Sequence, residues 1–329
     1  MYFLPKQPSR KALAYTSVSI LLTCLIVAVI VSINNNDTAT LDLSFATTPT
    51  PYSLPTQIYD SPSYFATVLG QLLGKREQNL DPSQIVKNGQ QQTENENFIL
   101  YSIDGFLPVD VQWWQEESQQ VYEYVSARLD TTISQRVVVA FVPPKSGNCA
   151  PRGTTFHEQQ SIILVFANQD TTKEQLLAVL AHELGHVLIH KKYTNLSDLA
   201  LTEGLATWAA GDYWQGWKGA DFNSGVRSYI ENDTYLPLFQ NYYLEKAYDE
   251  RSQDCIIHRD ILLTEMASFL DYLIQNYGTK QLSSLFDMQR PELKNDQRVV
   301  YPPGFKAVYG LEFNQLEYEW LNALLRPSQ

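Results

Sequence analysis

The chain has 329 residues, 44% of them hydrophobic and 18% charged, with 15 Gly, 16 Pro and a formal net charge of -12. These proportions exclude collagen-like, coiled-coil and wholly disordered chains and leave room for a sizeable core. The acidic balance, 24 Lys plus Arg against 36 Asp plus Glu with no basic run, also argues against a nucleic-acid partner.

Residues 1 to 33 carry Lys6, Arg10 and Lys11 and no acid, whereas Ala12 to Ile33 contain no charge at all. As a helix this stretch reaches about 33 Å, enough for a bilayer core of about 30 Å. With bases before it and Asn34 to Asp37 after it, the positive-inside rule predicts a single-pass signal anchor in the cell membrane, with the C-terminal domain extracytoplasmic. A cleaved signal peptide would need a shorter apolar run followed by a small-x-small site, and neither is evident. Residues 1–37 are therefore read as cytoplasmic tail and membrane anchor, the membrane being engaged through residues 12–33. Residues 38–96, rich in Thr, Pro, Ser, Gln and Asn, read as an extended linker, and 97–329 as the folded domain.

Order is expected to begin at Phe98, with strands over 98–103, 137–142 and 162–166, the last two being continuous apolar runs of strand length. A helix with Val111, Trp114, Val121, Val125 and Leu129 on one stripe is expected between the first two strands. After Thr172 the pattern is helical: 173–191, 198–211, 222–231, 259–277, 279–288 and 313–325. Strands first and helices second predict an α+β domain, a mixed sheet followed by a mainly helical half. Cys149 and Cys255 are the only cysteines outside the expected span. They read equally as a disulfide, worth roughly 4 to 5 kcal/mol by loop closure, or as two unrelated thiols.

The informative segment is His182-Glu183-Leu184-Gly185-His186. Two His four apart on one helix face can ligate one Zn²⁺, and a Glu beside that face can serve as general base. A catalytic zinc usually has three protein ligands. Glu203, 17 positions after His186 in Thr202-Glu203-Gly204-Leu205-Ala206, can return to the first helix as the third, with Gly204 and Ala206 allowing close approach. His190 continues the face of His186 and reads as a supporting or surface residue. The cluster Trp208, Tyr213, Trp214 and Trp217 reads as packing.

With these motifs in this order, and with Met266 to Gly278 as a later helix ending in Tyr277-Gly278, the chain resembles the gluzincin metallopeptidases of the peptidase MA-like group over roughly residues 97–290. The resemblance implies a zincin-like fold, a Zn²⁺ cofactor held by His182, His186 and Glu203, Glu183 as general base, and a peptide or protein substrate. It also implies an oxyanion donor from a later element, for which His258 is the first candidate and Tyr248 the second. The metzincin pattern fails because position 192 is Lys. An edge strand, for which 162–166 is the candidate, would offer an extended substrate a pairing partner. The alternative is an inactive membrane-anchored binding or scaffold module of the same fold. Retention of base and ligands argues against that alternative.

Overall fold

The computed structural model describes residues 87–103, 105–157, 160–193, 196, 198–242, 244–288 and 304–326. The expected membrane anchor and most of the expected linker lie outside the described residues. The domain is α+β: a five-stranded mixed sheet, then a mainly helical half.

The strands are β1 (Gln90–Glu94), β2 (Phe98–Ser102), β3 (Val137–Val142), β4 (Gly153–His157) and β5 (Ser161–Phe166), ordered β1-β2-β3-β5-β4. The pairs β2/β3 and β3/β5 are parallel; the outer pairs, β1/β2 and β5/β4, are antiparallel. Two features depart from the sequence reading. Gln90 to Glu94, of linker composition, form edge strand β1, whose polar residues suit an exposed edge. Ile162 to Phe166 is not an edge: β5 is buried between β3 and β4, as its unbroken apolar run befits. The edge on that side is β4, which carries no apolar run and was not foreseen.

A helix α1 (Val111–Leu129) crosses between β2 and β3, capped by the Asp110 carboxylate accepting from Gln112 N and Trp113 N. Then follow α2 (Lys173–Lys192), α3 (Leu199–Lys218), α4 (Phe222–Glu231), the single turn α5 (Leu238–Asn241), α6 (Cys255–Tyr277), α7 (Thr279–Asp287), α8 (Phe305–Tyr309) and α9 (Phe313–Leu325). From Ala178 to Ile189 every residue of α2 except His186 is buried, so this helix runs through the interior, between the sheet and α3. That accounts for its lack of a polar face. Thr172 caps it, with Glu174 in the first turn and Lys191 and Lys192 in the last, matching the helix dipole at both ends.

Two close approaches fix the helices around the future site. A Cβ on Gly185 would lie 3.0 Å from the Ala206 Cα, so α2 and α3 meet backbone to backbone there. Gly204 serves a different contact from the one its position suggests: it lies under Met266 and Leu270 of α6, at 3.0 and 3.1 Å from where a Cβ would stand. The expected helix end at 211 has a counterpart, because Gly211 takes φ 44°, ψ -119° and α3 then resumes to Lys218. Only glycine adopts that conformation freely, and the Tyr124 hydroxyl accepts the Asp212 N–H across the break at 2.8 Å.

Cys149 and Cys255 form a disulfide, with Cα atoms 5.3 Å apart, joining the chain before β4 to the start of α6. Trp208 and Trp214 are buried, and Tyr213 and Trp217 pack against the core, as a packing cluster requires.

Candidate metal centre

His182 and His186 project from the same face of α2, and Glu203 reaches them from the first turns of α3. The His182 Nε2 and His186 Nε2 atoms are 3.1 Å apart, and Glu203 Oε2 lies 3.2 Å from the first and 3.7 Å from the second. These three atoms are the one group of three His, Cys, Asp or Glu ligand atoms within 4.8 Å of one another among the described residues. A tetrahedral ion with bonds of about 2.0 to 2.1 Å has ligand-to-ligand edges of about 3.3 Å. The triangle brackets that value, so the donor set fits a zinc-sized ion.

Thr207, one turn after Glu203, fixes the chemistry of the first imidazole. Its hydroxyl has a single proton, which it gives to the Glu203 carbonyl oxygen at 2.9 Å. With the proton placed there, the Oγ1 atom is free to accept from His182 Nδ1–H, 3.1 Å away. With Nδ1 protonated in the neutral ring, Nε2 is left as a bare lone pair. That lone pair faces a carboxylate oxygen and a second imidazole nitrogen, an arrangement of acceptors that only a proton or a cation between them can satisfy. His182 is buried and its ring lies 5.7 Å from Trp214, so bulk water is excluded on that side.

The two carboxyls are driven in opposite directions. Burial tends to raise that of Glu203, but the imidazoles of His186 and His182 outweigh it and hold it well below the usual range. That favours the carboxylate form, the form in which Glu203 could bind a cation. Glu183 is raised, mainly by burial, with the same imidazoles and Thr155 opposing. Two carboxyls whose surroundings separate their affinities for a proton suit different roles, a fixed anion and a proton acceptor.

Glu183 is held by the edge strand. Thr155 Oγ1 donates to Glu183 Oε2 at 2.7 Å and stands 3.1 Å from the Glu183 carbonyl oxygen. Gly153 lies so close that a Cβ there would come within 2.7 Å of Glu183 Cγ and 2.8 Å of its Cδ. Further along β4, His157 stacks on His190 with ring centroids 4.0 Å apart. Burial, with the neighbouring imidazoles, lowers His157 to about 4, so this outer pair carries no charge from it at neutral pH. His190 is exposed near the end of α2 and is not among the residues whose ligand atoms converge. The start of β4 is tied down by Arg152, which gives Asp260 of α6 two hydrogen bonds at 2.6 and 2.9 Å while Lys218 of α3 gives it a third at 2.6 Å.

The two candidate donors part company. His258 sits in the first turn of α6, its Nδ1 buried without a partner among the described residues, and it makes no hydrogen bond or ion pair with His182, Glu183, His186 or Glu203. The second candidate, Tyr248, is coupled to the centre. Burial, then the adjacent Glu203 carboxylate and more weakly Glu183, hold its phenol protonated well above the ordinary range. Of the residues around the centre, Gly153, Thr155 and Thr207 were not foreseen. Thr207 had a detectable signal, a hydroxyl one turn after the ligand carboxylate. The strand holding Gly153 and Thr155 had none. The chain matches none of the known protein-family models and none of the curated proteins.

Proposed function

We propose that this protein is a zinc-dependent peptidase of the gluzincin type, with the zincin-like fold and site order that its motifs resemble, held at the cell surface by the segment 12–33. The observation that carries the reading is the convergence of His182 Nε2, His186 Nε2 and Glu203 Oε2 with a buried carboxyl, Glu183, of raised proton affinity beside them. His182, His186 and Glu203 would hold the ion, and Thr207 would keep His182 in the ligating tautomer. A zinc ion there supplies Lewis acidity, polarising the scissile carbonyl and acidifying water.

The remaining chemistry belongs to the chain. Glu183 takes the proton of the attacking water on its carboxylate and returns it to the leaving amine. Thr155 and Gly153 fix the orientation in which it does so. Tyr248, protonated across the working range, donates to the developing oxyanion in place of His258. β4, the edge strand beside Glu183, would offer an extended peptide backbone groups that pair with no other strand among the described residues, in place of 162–166. The test is cleavage of a quenched-fluorescent peptide mixture by the purified full-length protein. Turnover that is abolished by Glu183→Gln and by a chelator, and restored by zinc, supports the reading; turnover that survives both overturns it.

A further inference from the structure

The chain Ala247 to Asp254, which carries Tyr248, has little regular structure of its own, yet the reading above requires the Tyr248 phenol to be held in one place. What holds it is Arg259. This arginine is buried, 7% exposed, and pairs with no carboxylate among the described residues. Its guanidinium instead spans two backbone segments: Nε donates to the Ala247 carbonyl at 3.1 Å, Nη1 to that of Ala150 at 3.2 Å and Nη2 to that of Cys149 at 2.8 Å. Its charge lies 4.9 Å from the centre of the Tyr248 ring. One of these segments is also bonded to the start of α6, because Cys149 forms a disulfide with Cys255, whose sulfur lies 3.2 Å from the Ala247 carbonyl oxygen.

A buried guanidinium without a counter-ion is costly, and here its donors go to carbonyl groups that a neutral donor could also satisfy. Two features distinguish it from such a donor: the planar fork reaches three carbonyls from two chain segments at once, and the cation faces the Tyr248 ring.

We infer that Arg259, backed by the Cys149–Cys255 disulfide, is a positioning residue that presents the Tyr248 phenol to the metal centre, so that it acts on turnover through Tyr248 alone. The inference rests on the peptidase reading above. It gives one shared purpose to a buried cation that pairs with no carboxylate among the described residues and to a disulfide between cysteines far apart in sequence. Among the described residues Arg259 makes no hydrogen bond or ion pair with His182, Glu183, His186 or Glu203.

The test is a double-mutant cycle on the full-length protein, using Arg259→Met, Tyr248→Phe and both together. The readouts are kcat and KM on the quenched-fluorescent peptide mixture, zinc content, and amide hydrogen exchange over residues 244–255. Arg259→Met is expected to lower kcat by about 10- to 100-fold, the usual effect of removing a group that orients a site residue, with KM and zinc content little changed and exchange accelerated in that segment. In the Tyr248→Phe background the same change should cost less than about twofold, the non-additivity of residues acting as a unit. Arg259→Lys, which keeps the charge but cannot span both segments, should fall between and serves if the Met variant does not fold. An undiminished effect of Arg259→Met in the Tyr248→Phe background, or unchanged exchange, would overturn the inference while leaving the peptidase reading standing. A wild-type chain with neither zinc nor turnover would overturn both.

Discussion

The hydroxyl of Thr207 is the most economical handle on the proposed metal centre, because removing it leaves His182, His186 and Glu203 in place. Thr207→Val is nearly isosteric at a fully buried position. Valine cannot accept from His182 Nδ1–H, which the wild-type Oγ1 meets at 3.1 Å. The ring then either keeps a buried donor without a partner, at about 1 to 3 kcal/mol, or moves its proton to Nε2 and loses its ligating lone pair. Either course weakens zinc binding without a charge change. Loss of a group that orients a ligand in this way lowers metal affinity about 10- to 100-fold, or about 1.4 to 2.7 kcal/mol. The assay is competition for zinc against a chromogenic chelator at pH 7, with Thr207→Ser as the control that restores the acceptor. Thermal unfolding in excess chelator separates effects on the fold from effects on the metal. A Thr207→Val protein that holds zinc within twofold of wild type would refute the tautomer argument, as would a Thr207→Ser protein as weak as the valine variant.

Three further outcomes are expected. Gly153→Ala places a methyl group where the Glu183 side chain lies, 2.7 to 2.8 Å from Cγ and Cδ; the base must move, and kcat should fall at least about tenfold with zinc content unchanged, whereas unchanged kcat would show that β4 does not seat the base. Reducing Cys149–Cys255, which spans 106 residues of sequence, should lower unfolding free energy by up to about 4 to 5 kcal/mol, read by denaturant midpoints with and without reductant, and no shift would contradict a bond that constrains the unfolded chain. Glu265 is fully buried in α6, one oxygen accepting from Leu236 N and the other without a partner among the described residues, and burial raises its carboxyl well above the usual range. The folded chain therefore keeps this proton to higher pH than the unfolded chain does. Stability from this group is full below an unfolded value of about 4.3 and is lost as pH rises toward the folded one. Glu265→Gln should gain on wild type steadily above about pH 4.3, measured by chemical denaturation at several pH values, and a pH-independent difference would refute the assignment.

The centre itself was legible because its parts are local. His182, Glu183 and His186 declare themselves by spacing on one helix, and Glu203 by an acid at the start of the next apolar helix. The α+β layout was legible for the same reason: β3 throughout, and β5 from Ile162 on, are apolar because both faces are buried, and the apolar stretches after Thr172 are of helix rather than strand length. The elements that escaped are those whose character comes from partners distant in sequence. β4 is polar and short, a strand only because β5 lies beside it, and β1 likewise depends on β2. Tyr248 ranked below His258 because a histidine resembles a catalytic residue in isolation, while the tyrosine's place depends on Arg259 and on a disulfide that composition alone left undecided. Gly204 illustrates the same limit on a smaller scale: its need for closeness was readable, but not which helix would close on it.

The central claim is that His182, His186 and Glu203 hold one zinc ion. Elemental mass spectrometry on the purified full-length protein, wild type beside Glu203→Ala, tests it most directly. The account predicts about one zinc per wild-type chain and marked loss in the variant. No zinc in the wild type after reconstitution, or equal zinc in both, would contradict it and favour a binding or scaffold module of the same fold.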